Sequence, residues 1–140
     1  GAGFEPLEPL LDGGFDAAAI VRPPIPSRGA APTREVPLEQ LAWVRSGEKG
    51  ETINIGVIAR DPDRLGDLRA ALTPGAIRSW FAHLFDHNVG VVRIYDLPGT
   101  AALNLVLEGA LPGGINASTR LDPAAKSVGQ QLLRFPVQVP

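Results

Sequence analysis

The sequence predicts an α/β fold of the α+β kind, a two-layer open sandwich in which a small mixed sheet carries helices on one face. Three observations predict it. Runs rich in β-branched and aromatic residues at 36–44, 52–59 and 89–96 read as strands. Asp61-Pro62, Thr73-Pro74 and Asp122-Pro123 each pair a capping residue with proline ahead of an apolar stretch, the signature of a helix start. Helices long enough to cross the sheet separate the later strands, which favours right-handed βαβ units.

Taken in order, residues 1–35 form a proline-rich docking arm and linker, and the folded domain spans 36–140. Seven prolines fall within residues 1–37, while Phe4, Leu7, Leu10, Leu11, Phe15, Ile20 and Val21 follow no period. Such side chains are too apolar for a disordered tether, so the arm is expected to dock on its own domain, a sister subunit or a preceding domain. Residues 22–35 read as a true linker.

The first strand runs from Val36 to about Val44 and the second from Thr52 to Ala59. Leu65, Leu68 and Leu72 share one helical face, and the next helix buries Ile77, Phe81, Leu84 and Phe85 with Trp80 on its flank. Trp43 and Trp80 are both expected to be buried. A strand follows at 89–96 and ends at Leu97-Pro98-Gly99. Thr100 then caps a helix with Leu103, Val106, Leu107 and Ala110 on its apolar face, stopped by Leu111-Pro-Gly-Gly114. Residues 115–121 alternate as a half-buried strand. The last helix buries Ala125, Val128 and Leu132, and an extended tail closes the chain. The order is ββαβαβα, for which a ferredoxin-like arrangement is the nearest common architecture.

Composition excludes several functions. The 140 residues carry a net charge of −2 with lysines and arginines scattered singly, so no basic stripe awaits nucleic acid. No cysteine is present, which removes disulfides, thiolate catalysis and cysteine-bound zinc. No apolar run approaches the ~20 residues of a membrane span, and a cytoplasmic setting is expected. No methionine occurs either. Gly1 is therefore not expected to mark the start of translation; a cut from a longer polypeptide, a processing site or a cloning remnant would account for it.

The polar stretch between the first two strands is the candidate site. Ser46, Gly47, Glu48, Lys49, Gly50 and Glu51 place one ammonium between two carboxylates on backbone that glycine frees. One reading is a hairpin turn with an exposed ion pair from Lys49 to Glu48 or Glu51. The other is an anion site in which Lys49, amides near Gly47 and Gly50, and the Ser46 hydroxyl converge on a phosphate or carboxylate. Asn104, placed on a helical first turn, would add an amide beside it. His83 and His87 stand at i, i+4 next to Asp86, but no third ligand is evident and no metal is expected.

Ser46-Gly-Glu-Lys-Gly-Glu51 followed by Asn54-Ile-Gly56 resembles the Ser-Gly-Asp-Lys-Gly-Asp…Asn-Ile-Gly signature of the acyclic terpene utilisation protein A (AtuA) family. Leu97-Pro98-Gly99 with Ala102-Leu103-Asn104, then Leu111 with Gly113-Gly114, Asp122 and Lys126, are similar to its later landmarks. Glutamate replaces both signature aspartates, Pro112 replaces a usual glycine, and Ala125 stands where glycine is common.

The resemblance implies the family's C-terminal ferredoxin-like domain, found behind a larger domain or as a small separate protein. It implies an accessory domain or small subunit of a bacterial enzyme that processes acyl-coenzyme A thioesters in the breakdown of acyclic terpenes or branched acids. The implied partner is a larger AtuA-type domain or subunit in a homo- or hetero-oligomer. A coenzyme A thioester is the implied ligand, with no covalent cofactor. Candidate ligand residues are Ser46, Gly47, Lys49, Gly50, Asn54 and Asn104, with Lys49 and Asn104 facing a common cleft. The alternative is a self-sufficient hydratase- or lyase-like enzyme using Lys49 with Glu48 or Glu51 as acid and base.

Overall fold

The computed structural model describes residues 16–21, 24, 27–85 and 90–140. Its strands are β1 (Arg34–Pro37), β2 (Ala42–Lys49), β3 (Thr52–Ala59), β4 (Val91–Leu97), β5 (Ala102–Glu108) and β6 (Pro136–Val139). Its helices are α1 (Leu65–Ala71), α2 (Pro74–Trp80), α3 (Gly114–Ala117) and α4 (Lys126–Leu132). Among the described residues the strands form a four-stranded sheet in the order β2-β3-β5-β4 and a two-stranded ribbon of β1 with β6.

The two-layer α/β class holds, but the sheet is not mixed. Every pairing among the described residues is antiparallel. The reason lies at 102–108, expected as a helix and found as β5. Leu103, Leu105 and Leu107 are fully buried on one side, while Ala102, Asn104, Val106 and Glu108 alternate to the other. A period of two was present beside the helical spacing, and pairing with both β3 and β4 decides between them. The β4–β5 connection is thus a hairpin and needs no crossover.

Residues 115–121 also differ, for the opposite reason. They alternate, yet among the described residues they pair with no strand, and only the short helix α3 forms, with Ile115 and Leu121 exposed. The expected tail pairs as β6 with β1 in the register Arg34↔Val139 to Pro37↔Pro136. The linker expected at 22–35 is partly built in. Arg28 reaches the buried Asp67 carboxylate at 3.3 Å and donates to the Gln138 carbonyl at 2.7 Å. The N-terminal arm at 1–15 lies outside the described residues.

Burial by alternation defines the layers. Ile53, Ile55 and Val57 of β3 face the core with the β5 leucines, Leu68, Ile77, Phe81 and Leu132. Both tryptophans, expected inside, are half-exposed. Trp43 points to the other side of the sheet, where the Arg60 guanidinium stacks 4.7 Å from its ring centroid. Trp80 packs edge-on against Phe135 at the surface, with centroids 5.3 Å apart.

Candidate functional site

The β2–β3 hairpin contains much less loop than its composition suggests. Ser46 to Lys49 belong to β2, Lys49 pairs with Thr52, and only Gly50 and Glu51 turn. Gly50, at φ 60°, takes the first central position, where such a tight turn needs glycine.

Two of the expected site residues are structural. Ser46 is buried under α4, where its hydroxyl accepts from the Gly129 N–H at 2.8 Å and donates to the Ala125 carbonyl at 2.6 Å. The Glu51 carboxylate accepts the Gly113 N–H at 2.9 Å, and its carbonyl accepts from Leu111, fastening the 111–114 loop to the hairpin. Ser46 is thereby closed to a ligand, and one Glu51 carboxylate oxygen is engaged.

The acid–base pair is not assembled either. Glu48 and Lys49 are consecutive on a strand and project to opposite sides. Among the described residues no carboxylate lies within ion-pair distance of Lys49, so the exposed pair of the plain turn reading is also absent. Lys49 and Asn104 do not share a cleft. Their register positions differ by four residues and two strands, roughly 16 Å between Cα atoms at ordinary sheet spacings.

What the fold does bring together is Asn54 and Asn104. The Asn54 Nδ2 donates to the Asn104 Oδ1 at 2.8 Å across β3 and β5. Both amides stand on the sheet face opposite the core. Arg45 and Gly56 lie beside Asn104, Gly47 lies beside Asn54, and Tyr95 flanks Asn104 from β4. At one end of the same face Trp43, Ile58, Ala102 and Leu97 form a row across all four strands. Leu97 and Ala102 continue into an open cleft of about 410 Å³ that Pro24, Pro62 and Leu65 also line.

Among the described residues no three His, Cys, Asp or Glu side chains group as metal ligands. His83 stands on a single 3₁₀ turn, whereas Asp86 and His87 lie outside the described residues. No helix among the described residues is long and apolar enough to cross a membrane.

The family model of the AtuA ferredoxin-like domain matches residues 36–138. This chain belongs to that family. No curated protein and no solved structure matches it. Within this AtuA ferredoxin-like domain, the spaced sequence landmarks meet as contacts. The hairpin carrying Gly50 and Glu51 receives Gly113 and Gly114, and Ser46 receives the start of α4. Ala125, where glycine is common, holds φ 53°. The motif residues of the domain thus divide into a structural set on the helix side and a polar set on the open face.

Sequence reasoning missed Arg45 and Lys126 as neighbours of the polar set. The available signal was glycine at 47 and 56, both on the outward side of neighbouring strands where a side chain is ordinarily wanted.

Proposed function

We propose that this AtuA ferredoxin-like domain is an accessory domain or small subunit of a bacterial acyl-coenzyme A-processing enzyme, completing it by contact with a larger AtuA-type domain or subunit. The observation that carries the reading is a face of the sheet that no element among the described residues covers. Trp43, Ile58, Val91, Tyr95 and Leu97 all stand on it, each between 42% and 51% exposed. Scattered apolar residues are ordinary on a surface, but five on one flat face mark a contact area. The terpene or branched-acid context comes from the family resemblance, as does the coenzyme A thioester as ligand.

The accessory reading is preferred to the self-sufficient enzyme because Glu51 is engaged with Gly113 and Glu48 points away from Lys49. Reconstitution with the larger AtuA-type polypeptide of the same source tests it. Hydrogen exchange at 43, 58 and 95–97 is expected to slow on mixing, and Ile58→Asp is expected to weaken association at least tenfold while the domain stays folded. Association through any other face would overturn the reading.

A further inference from the structure

We infer that the open face binds a phosphate monoester dianion in a hollow gripped by Lys126 and Arg45 and floored by the Asn54–Asn104 pair. Lys126 begins α4, in the helical layer, yet its ammonium reaches the opposite side of the sheet. A Cβ placed on Gly47 would stand 3.0 Å from Lys126 Nζ. That Cβ would project with Arg45 and Lys49 of β2 and with the paired Asn54, so the ammonium lies over the outward side of Gly47. It gets there because β2 is an edge strand, around which a lysine stem can pass.

Glycine keeps the place open. Gly56, beside Arg45 and Asn104, has nothing nearer than the Arg45 carbonyl at 3.9 Å from where its Cβ would be. Side chains at 47 and 56 would fill the space that their absence leaves between Arg45, Lys126 and the amides. The asparagine pair uses one N–H internally, which leaves one on Asn54 and two on Asn104 to donate outward.

The charges around the hollow favour a dianion. Among the described residues neither Arg45, Lys49 nor Lys126 has a carboxylate within ion-pair distance. Glu108, on the same face, is tied to Arg93 at 3.0 Å. Glu48 projects to the other side of β2, and the Asp122 carboxylate, held by the Lys126 and Ser127 N–H groups at 3.0 and 2.7 Å, acts on the Lys126 ammonium from beyond ion-pair distance. An arginine fork, an ammonium and three amide donors suit the three terminal oxygens of a phosphate monoester better than the two of a carboxylate. Lys49, two residues along on the same side as Gly47, adds a third positive charge on the Gly47 side of the hollow.

The inference deepens the ligand half of the accessory reading and rests on it for the source of the phosphate, not for the site. The test is a titration of the full chain with inorganic phosphate, followed by backbone amide NMR shifts. Shifts are expected at residues 45–47, 54–56 and 104. Lys126→Gln and Arg45→Gln should each weaken binding at least fivefold, and Arg34→Gln, which removes a charge on β1, should leave it unchanged. Gly47→Ala retains every charge but crowds the ammonium, and should weaken binding without altering the melting temperature by more than a few degrees. Coenzyme A binding tenfold tighter than its 3′-dephospho form would identify a nucleotide-borne phosphate; equal binding of the two, no tighter than inorganic phosphate, would identify free phosphate at the same site. Shifts confined to other residues, no binding at 50 mM phosphate (on the order of ten times a weak single-ion affinity), or binding unchanged in both Lys126→Gln and Arg45→Gln would overturn the site. Because phosphate binding is read on the chain alone and association is read separately with Ile58→Asp, loss of the site and loss of the accessory role would be told apart.

Discussion

Gly114 and Gly50 meet backbone to backbone: a methyl group on Gly114 would stand 3.0 Å from the Gly50 carbonyl oxygen. The contact joins two sequence landmarks more than sixty residues apart, and Gly114 also holds φ 59°. Glu51 accepting from Gly113 closes the same junction from the side. Gly114→Ala combines a left-handed backbone with a clash against backbone that cannot rotate away. It should destabilise by about 1–3 kcal/mol, read as a lower urea midpoint at unchanged slope.

Ala125 offers the converse test. It is fully buried and holds φ 53°, a conformation that glycine adopts without penalty. Ala125→Gly loses about 0.8 kcal/mol of methyl burial and recovers about 1 kcal/mol of backbone strain. Urea unfolding should therefore place it within about 0.5 kcal/mol of the parent. Ala42→Gly, equally buried but in ordinary strand backbone, has no such compensation and should cost about 1.5 kcal/mol.

Asp122 should make stability fall in acid. Partial burial raises its pKa, but the Ser127 side-chain and backbone hydrogen bonds, then the Lys126 N–H and ammonium, outweigh this and leave it below its ordinary value of 3.8. A carboxyl whose pKa is depressed by folding stabilises above its unfolded pKa, and that contribution is lost as pH falls through the folded value. Urea midpoints should thus be level above about pH 5 and decline below about pH 4. The decline should be shallower in Asp122→Asn, while an identical acid limb in the two proteins would remove Asp122 from the account.

Truncation separates the arm from the body. Removing residues 1–26 leaves the contacts of Arg28 and β1 in place, so the urea midpoint should fall by less than on removing 1–35. Removing 1–35 takes away Arg28, leaving Asp67 to Arg64 alone at 3.2 Å, and strips Arg34 and Glu35 from β1. A loss of about 1–3 kcal/mol is expected from the exposed ribbon and the half-paired carboxylate. Equal midpoints for the two truncations would show that the fold does not need the segment 27–35.

By itself the sequence determined the local events: the caps at Asp61 and Thr73, the helices they start, the strand pair from Ala42 to Ala59 and the glycine at the turn between them. These depend on residues within a few positions of one another. It also carried the family landmarks at 46–56, 97–104 and 111–126. Tertiary structure alone decided what a local pattern leaves ambiguous. Leu103, Leu105 and Leu107 suit a strand or, with Val106, a helix, until β3 and β4 offer hydrogen-bonding edges on both sides. Residues 115–121 alternate just as well, yet among the described residues they join no sheet and form only α3. The site divides in the same way. Ser46 and Glu51 look like free polar groups in the sequence, and only the arrival of α4 and the 111–114 loop gives each a structural partner. Asn54 and Asn104 become neighbours only through the β3–β5 register, and the Lys126 ammonium comes beside Gly47 only because its helix packs beside an edge strand. A long side chain carries charge farther than sequence spacing can express, so the candidate anion hollow follows from packing and not from any motif.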